Sequence, residues 1–220
     1  MDKHNKVLDI IINLLEGLRS GGDLRDDFGE EELVLNDCSY LLNQSIRQYK
    51  IPQCHYFVSK KAFELWSKIR SDSIFNYWYR KKVVKNVEGE VFINKYRGGE
   101  KEPYSKNYKL KYGEAFTFND VFTDEHIVPV NNIIKELINL PVINYESVKN
   151  VLDKIYICKV LKEEDRKIAN KKSRSLDYRE VLAFDYFDVG IEIKDFDLKT
   201  ELLTLIDETK RKIDKLKDED

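Results

Sequence analysis

The feature that most constrains this chain is the stretch from Phe122 to Val130. It reads Phe-Thr-Asp-Glu-His-Ile-Val-Pro-Val and holds one of only three histidines in 220 residues. Its aromatic and β-branched residues predict a short strand, and Pro129 ends the extension because proline has no N–H to give to a sheet. A carboxylate and an imidazole are thereby expected side by side at a turn. One such group can hold a cation and the other can take a proton from water, as a metal-dependent hydrolase requires.

Composition narrows the classes of protein that remain. Hydrophobic residues make up 42% and charged residues 35%, which is typical of a soluble globular protein long enough to bury a real core. The formal net charge is -2, so nucleic-acid binding would depend on a local basic patch. Three widely spaced cysteines without a CxxC pair favour reduced thiols. The N-terminal apolar run is too short to span a membrane, and we expect a cytoplasmic protein with no membrane partner.

Hydrophobic periodicity predicts an α+β protein. The N-terminal part is helical, because apolar residues recur at helical spacing over about residues 6–19 and 33–49. Ser59 is placed to cap a third helix. Beyond Ile74 short β-type runs alternate with turns and helices. The later elements that we expect are helices at about 131–140 and from 162, a strand at 154–160, short strands at 181–187 and 190–193, and a terminal helix.

A basic and aromatic stretch runs from Ile74 to Tyr112. It contains ten Lys and Arg residues against four Glu residues, and no Asp. Positive side chains beside aromatic rings suit contacts with phosphates and bases; the alternative is that the rings are core and the lysines are solvated. The residues that we expect to bind nucleic acid are Arg80, Lys81 and Lys82, which follow Tyr77-Trp78-Tyr79, and Lys171, Lys172 and Arg174, which follow the helix expected from residue 162.

The order strand, acid-His-Ile-Val-Pro, excursion, second strand and polar helix resembles the HNH family of nucleases. The matching residues are Glu125-His126-Ile127-Val128-Pro129, then 155–161 for the second strand and 162–172 for the helix. The pattern is similar to HNH domains of RNA-guided CRISPR effectors, in which Asp-His-Ile-Val-Pro opens the motif. The resemblance covers about residues 116–174. It implies a ββα-metal core, so we expect three regions: helical residues 1–72, the nuclease region 73–195 and the terminal helix 196–220.

The resemblance also implies roles for individual residues. His126 would be the general base that deprotonates the attacking water, and Glu125 would bind a divalent cation, Mg²⁺ or Mn²⁺. The family places a further ligand, often a histidine, on the helix after the second strand. No histidine follows His126 in this chain. Glu164 and Asp165 are the candidates for that place, ahead of Asn170, and the middle asparagine of the family pattern is not assigned.

Several alternatives stay open. The acids at the start of the helix from residue 162 would also complement its dipole without any metal. A second nuclease pattern, Asp, gap, Glu-x-Lys, resembles the PD-(D/E)XK family and would use Asp177, Glu192 and Lys194. A third hypothesis is a non-catalytic nucleic-acid-binding or adaptor protein. Family analogy alone suggests restriction or anti-phage defence, and the terminal helix suggests a partner protein or a homodimer.

Overall fold

A computed structural model describes most of the chain, namely residues 3–20, 31–96, 105–169, 175–197, 200–201, 203–208 and 210–211. The chain forms two compact units. The first comprises residues 1–55 and 128–156, and the second comprises residues 56–127 and 157–220. Helices and short strands occur together, which confirms the α+β class. The boundary that we predicted at residue 72 does not coincide with the boundaries of these units.

The first unit is built from four helices. They are α1 (Lys3–Ser20), α2 (Glu31–Gln48), α4 (Val130–Ile138) and α5 (Tyr145–Leu152). Helix α1 packs against α2 and α5, and α4 packs against α2 and α5, so the four helices close on one another. The apolar residues that fill the space between them recur at helical spacing, for example Leu8, Ile11 and Leu15 on α1 and Val130, Ile133, Ile134 and Leu137 on α4.

The second unit contains a three-stranded sheet with the order β1-β7-β6. Strand β7 (Ile157–Leu161) is central, parallel to β1 (Tyr56–Val58) and antiparallel to β6 (Phe122–His126). Two further antiparallel pairs are β2 (Lys82–Val84) with β5 (Ala115–Thr117), and β3 (Val91–Tyr96) with β4 (Ser105–Leu110). The described α-helices of this unit include α3 (Lys60–Ile69), α6 (Lys162–Ala169) and α7 (Tyr178–Glu180).

The core of the second unit centres on Trp66 of α3. Its ring lies 4.7 Å from that of Tyr77, 5.7 Å from Phe122 and 6.2 Å from Phe118, measured between centroids. These rings and the apolar side chains of β2, β3 and β5 form one continuous cluster. Large aromatic side chains stabilise a core through the apolar area that they remove from water. Phe122, the first residue of β6, is thus anchored in the core. Its face of the sheet is the one that packs against Trp66.

The strands that we predicted at 181–187 and 190–193 are wrong. Residues Val181–Tyr186 form a π-helix that continues α7, and Ile193 makes only an isolated bridge with Ser59. A short apolar run cannot be assigned to strand or helix by periodicity alone. Here Asp177 decides the outcome, because its side chain accepts from the backbone N–H of Arg179 and caps a helix start.

The terminal helix is confirmed within the described residues, since 203–208 and 210–211 are helical. The Arg179 guanidinium holds both carboxylate oxygens of Glu208, at 2.8 and 2.9 Å, which ties this helix to α7. Residues 198–199, 202, 209 and 212–220 of the predicted terminal region lie outside the described residues, and the suggested contact with a partner protein or a second copy stays a prediction. In the described part of the chain, no helix combines the length and apolar character that crossing a membrane requires.

Ser59 is the cap of α3, as predicted, and it also reaches α6. Its Oγ accepts from the backbone N–H of Ala62 at 3.1 Å and donates to Glu164 Oε2 at 2.6 Å. We expect Ser59→Ala to lower the free energy of unfolding by about 2–4 kcal/mol, because a helix cap and a bond to a buried carboxylate are lost together. Chemical denaturation measures the change.

The matched control for this prediction is Ser67→Ala on the same helix. The Ser67 hydroxyl is exposed and donates only to the carbonyl of Phe63. We expect its removal to change stability by no more than about 0.5 kcal/mol. Equal effects of the two substitutions would contradict the bridging role of Ser59.

Candidate active site

The strand, strand and helix that the sequence predicts for an HNH core follow one another in space. β6 pairs with β7 in the register that places Glu125 opposite Cys158 and His126 opposite Ile157. Helix α6 begins directly after β7, at Lys162, and packs against both strands. The excursion between the strands consists of α4 and α5, which belong to the first unit. β6 is an edge strand of the sheet among the described residues.

Glu125 and His126 are the last two residues of β6, and both are half-buried. Because successive side chains of a strand alternate, the two project from opposite faces of the sheet. Glu125 shares its face with Cys158, and His126 shares the other with Asp124 and Lys159. At an edge strand, both faces border the same outer edge of the sheet. A ligand lying along that edge would be adjacent to both groups.

The face that carries Glu125 is the one covered by α6. Burial raises the pKa of the Cys158 thiol, and the carboxylates of Glu164 and Glu125 raise it further. Glu125 lies directly opposite Cys158 in the strand register, and the charge of Glu164 reaches the same sulfur from α6. Acids of β6 and of α6, the two elements from which the sequence predicts metal ligands, therefore both act on Cys158.

Glu164 has a structural role of its own. Its side chain is 2% exposed, and Oε2 accepts from Ser59 Oγ at 2.6 Å and from the backbone N–H of Leu161 at 2.9 Å. A glutamate at the third helical position that reaches back to the N-cap N–H forms half of a capping box. Burial raises the pKa of Glu164, and the hydrogen bonds from Ser59 and Leu161 oppose that rise.

Asp165 follows Glu164 and is half-buried, whereas Glu163 is exposed. Among the described residues, no three His, Cys, Asp or Glu side chains come together as a ligand set. Mg²⁺ commonly takes only one or two protein carboxylates and completes its shell with water and phosphate oxygens. Glu125 with an acid of α6 suits that mode of binding better than a cage made by protein alone. Asn170, the remaining candidate, lies outside the described residues.

The opposite face of the sheet holds a charged pair that sequence reasoning did not single out. Lys159 is 1% exposed, and its ammonium donates to Asp124 and, at 2.7 Å, to the carbonyl of Tyr77. It also lies 4.8 Å from the centroid of the Phe118 ring. Burial lowers the pKa of Lys159, and Asp124 opposes that shift. The sequence signal that could have indicated this buried charge is a single lysine within the otherwise apolar strand Ile157–Leu161.

The second predicted set of residues, that of the PD-(D/E)XK pattern, is spread over separate ion pairs. Asp177 pairs with Arg179, Glu192 with Lys60 and Lys194 with Asp195. The Glu192 side chain is largely exposed. The sheet that normally presents such residues is replaced here by the π-helix and a single bridge at Ile193.

The residues expected to bind nucleic acid divide into two groups. Arg80 and Lys82 are exposed, and Lys81 is half-buried with its ammonium donating to the carbonyl of Asn76 at 2.6 Å; all three lie close to the exposed rings of Trp78 and Tyr79 in the chain. We call residues 77–82 the basic–aromatic turn. The other predicted residues, Lys171, Lys172 and Arg174, lie outside the described residues.

Comparison of the chain with models of known protein families, with curated proteins and with solved structures gives no match. The functional assignment therefore depends on the residues and geometry of the chain itself.

Glu164 offers a test of its capping role at the start of α6. We expect Glu164→Ala to lower the free energy of unfolding by about 2–4 kcal/mol, since two buried donors lose their acceptor. Glu164→Gln keeps an acceptor oxygen and removes the buried charge. The folded state holds the Glu164 proton more tightly than the unfolded chain does, so the contribution of Glu164 to stability falls as pH rises from 4.5, its ordinary pKa, through the raised value.

Denaturation of the wild type and Glu164→Gln at several pH values checks this expectation. Between pH 4 and pH 7, the free energy of unfolding of Glu164→Gln should rise relative to that of the wild type. Glu163→Gln, at the exposed neighbouring position, is the control and should show no such trend. A pH-independent difference for Glu164→Gln would contradict the account.

Substitution of Lys159 tests whether its buried ion pair with Asp124 stabilises the sheet. We expect Lys159→Ala to lower the free energy of unfolding by about 3–5 kcal/mol, because it leaves Asp124 and the Tyr77 carbonyl without their buried partner. Thermal or urea denaturation measures the loss. Lys82→Ala, an exposed lysine on β2, should change stability by less than about 0.5 kcal/mol. Similar values for both variants would show that the Lys159 pair is energetically unimportant.

Proposed function

We propose that the protein is a metal-dependent HNH-type endonuclease that hydrolyses phosphodiester bonds of DNA. The observation that carries the proposal is the β6-β7-α6 arrangement, with Glu125-His126 at the end of its first strand. Glu125 lies opposite Cys158 in the register of the two strands, and α6, which carries the other acids, packs against both strands. The sequence Glu-His-Ile-Val-Pro adds the resemblance to the family.

In this mechanism His126 is the general base. In its neutral form the imidazole accepts a proton from a water molecule at the edge of β6. The water oxygen bonds to phosphorus as the bond to the leaving oxygen breaks. Asp124 is two residues away on the same face as His126, and its pairing with Lys159 fixes the strand that carries the base.

Glu125 is the residue we assign to Mg²⁺ or Mn²⁺, together with Asp165 or Glu164 of α6. When bound, the cation supplies positive charge beside the phosphate and its leaving oxygen. Of the two acids on α6, Asp165 is the more available, because one oxygen of Glu164 already accepts from two donors.

DNA is the substrate we assign, and Arg80, Lys81 and Lys82 supply local positive charge for its phosphates. A role in restriction or anti-phage defence is part of the proposal by family analogy. No observation favours the PD-(D/E)XK site, since its three residues are each held in a different ion pair.

The decisive experiment is a cleavage assay on plasmid DNA with Mg²⁺ or Mn²⁺. We expect His126→Ala to lower the rate of cleavage by about 10²–10⁴-fold, the usual contribution of a general base. His55→Ala is the matched control, because His55 is a half-buried histidine of the first unit, stacked on Tyr156 at 4.3 Å. That variant should cut like the wild type, and circular dichroism should show both variants folded.

Three results would overturn the assignment. Unchanged cleavage by His126→Ala would remove the general base from the mechanism. Loss of cleavage in Glu192→Ala or Lys194→Ala, with His126→Ala still active, would move the active site to the PD-(D/E)XK residues. A protein that binds DNA without any metal-dependent cleavage would instead be a nucleic-acid-binding module.

A further inference from the structure

The basic–aromatic turn exposes two large aromatic rings that are not buried in the core. Tyr77 is buried, and its ring packs at 4.7 Å against Trp66. The next two residues, Trp78 and Tyr79, are each 57% exposed. Leaving adjacent aromatic side chains in water forgoes the burial that normally stabilises them. Their position points to a ligand outside the protein.

The turn is held in place by its own backbone and by the 3-10 helix Phe118–Asp120, which follows β5. The backbone N–H of Lys81 donates to the carbonyl of Trp78 at 2.8 Å. From the opposite side, the N–H of Phe118 donates to the carbonyl of Lys81 at 2.9 Å, and that of Asn119 donates to the carbonyl of Tyr79 at 3.0 Å. The exposed rings are therefore presented by an ordered backbone.

Positive charge surrounds the rings. The Lys81 ammonium lies 4.5 Å from the centroids of both Tyr77 and Trp78, and the Arg80 guanidinium carbon lies 5.7 Å from the centroid of Tyr79. Lys82 follows on β2 with an exposed side chain. Between residues 73 and 87 the sequence contains no Asp or Glu, so neighbours in the chain do not neutralise these cations.

We propose that Trp78 and Tyr79 form a stacking platform for unpaired bases of a nucleic acid, while Arg80, Lys81 and Lys82 contact its phosphates. Flat rings beside clustered cations match a polyanion with flat bases. Both faces of a base inside a duplex are covered by its neighbours, so only an unpaired base can stack on a side chain. The ligand is thus a single strand, or an unpaired segment within a duplex. This inference rests on the proposed function and names the form of its substrate.

The chain has only two tryptophans, which makes the platform directly observable. Trp66 is 2% exposed and lies in the core, so a soluble quencher reaches Trp78 alone. In EDTA, the protein is titrated with a single-stranded DNA 12-mer, with RNA of the same sequence and with the blunt DNA duplex. We expect a single strand to quench Trp78 emission and to protect it from iodide, and the duplex to do neither.

Substitutions give the second readout, with anisotropy of labelled oligonucleotides as the measure of affinity. Trp78→Ala and Tyr79→Ala should each weaken single-strand binding by about tenfold, within the range found for removal of one stacked base contact. Trp78→Phe keeps a ring and should retain most of the affinity while losing the emission change. Tyr40→Ala is the matched control, because Tyr40 is a similarly exposed aromatic residue of the first unit, and its affinity should be unchanged.

Failure of this inference can be told from failure of the proposed function. If no oligonucleotide alters Trp78 emission, or if Trp78→Ala binds as tightly as the wild type, the platform is disproved, and the turn then fits a protein partner or simple phosphate contact. His126-dependent cleavage would leave the nuclease assignment standing in that case. A quenched Trp78 without metal-dependent cleavage would support the platform and remove the nuclease.

Discussion

The antiparallel pairing of β6 with β7 is the constraint on which the rest of the second unit depends. These strands are separated by the excursion of residues 127–156, yet they share a five-residue register. Pairing them satisfies the backbone groups of β7 on one side, and the parallel pairing with β1 satisfies the other. Helix α6, which starts where β7 ends, is thereby placed over the face that carries Glu125. Without this pairing, the acid of the strand and the acids of the helix would have no common location.

The three consecutive acids of α6 have different environments although all three are carboxylates. Glu163 faces solvent, Glu164 holds the helix start from inside the protein, and Asp165 lies between these extremes. A carboxylate that caps a helix already has its charge compensated by N–H and O–H donors, which makes it a poorer ligand for a cation. For this reason our proposal assigns the cation to Asp165 ahead of Glu164.

Much of the fold could be predicted from periodicity and local signals. The four helices of the first unit, the cap at Ser59 and the order β6-β7-α6 follow from apolar spacing, a hydroxyl before a helix and a proline after a strand. The strands expected at 181–187 were wrong because an apolar run fits both a buried helix and a strand, and only the cap at Asp177 separates them.

The site was harder to predict than the fold. Strand alternation alone implies that Glu125 and His126 lie on opposite faces of the sheet. Whether one ligand could contact both side chains depends on β6 being an edge strand, and the sequence does not reveal that position. The burial of Lys159 depends on the register that places it opposite Asp124, and register is a long-range property. The exposure of Trp78 and Tyr79 could not be foreseen, because composition does not distinguish a ring in the core from one at the surface.

The bond between Ser59 and Glu164 joins residues 105 positions apart, and it has a consequence for the order of folding. The central strand of the sheet and the partner of this bond both come from residues 157–169. The first unit likewise needs residues 128–156 before its four helices can close. A ribosome synthesising the chain from its N-terminus therefore releases Trp66 and its aromatic neighbours well before the strand that completes their sheet. Until then these apolar surfaces are open to water and to other chains, so the nascent protein passes through an interval in which it depends on protection from aggregation.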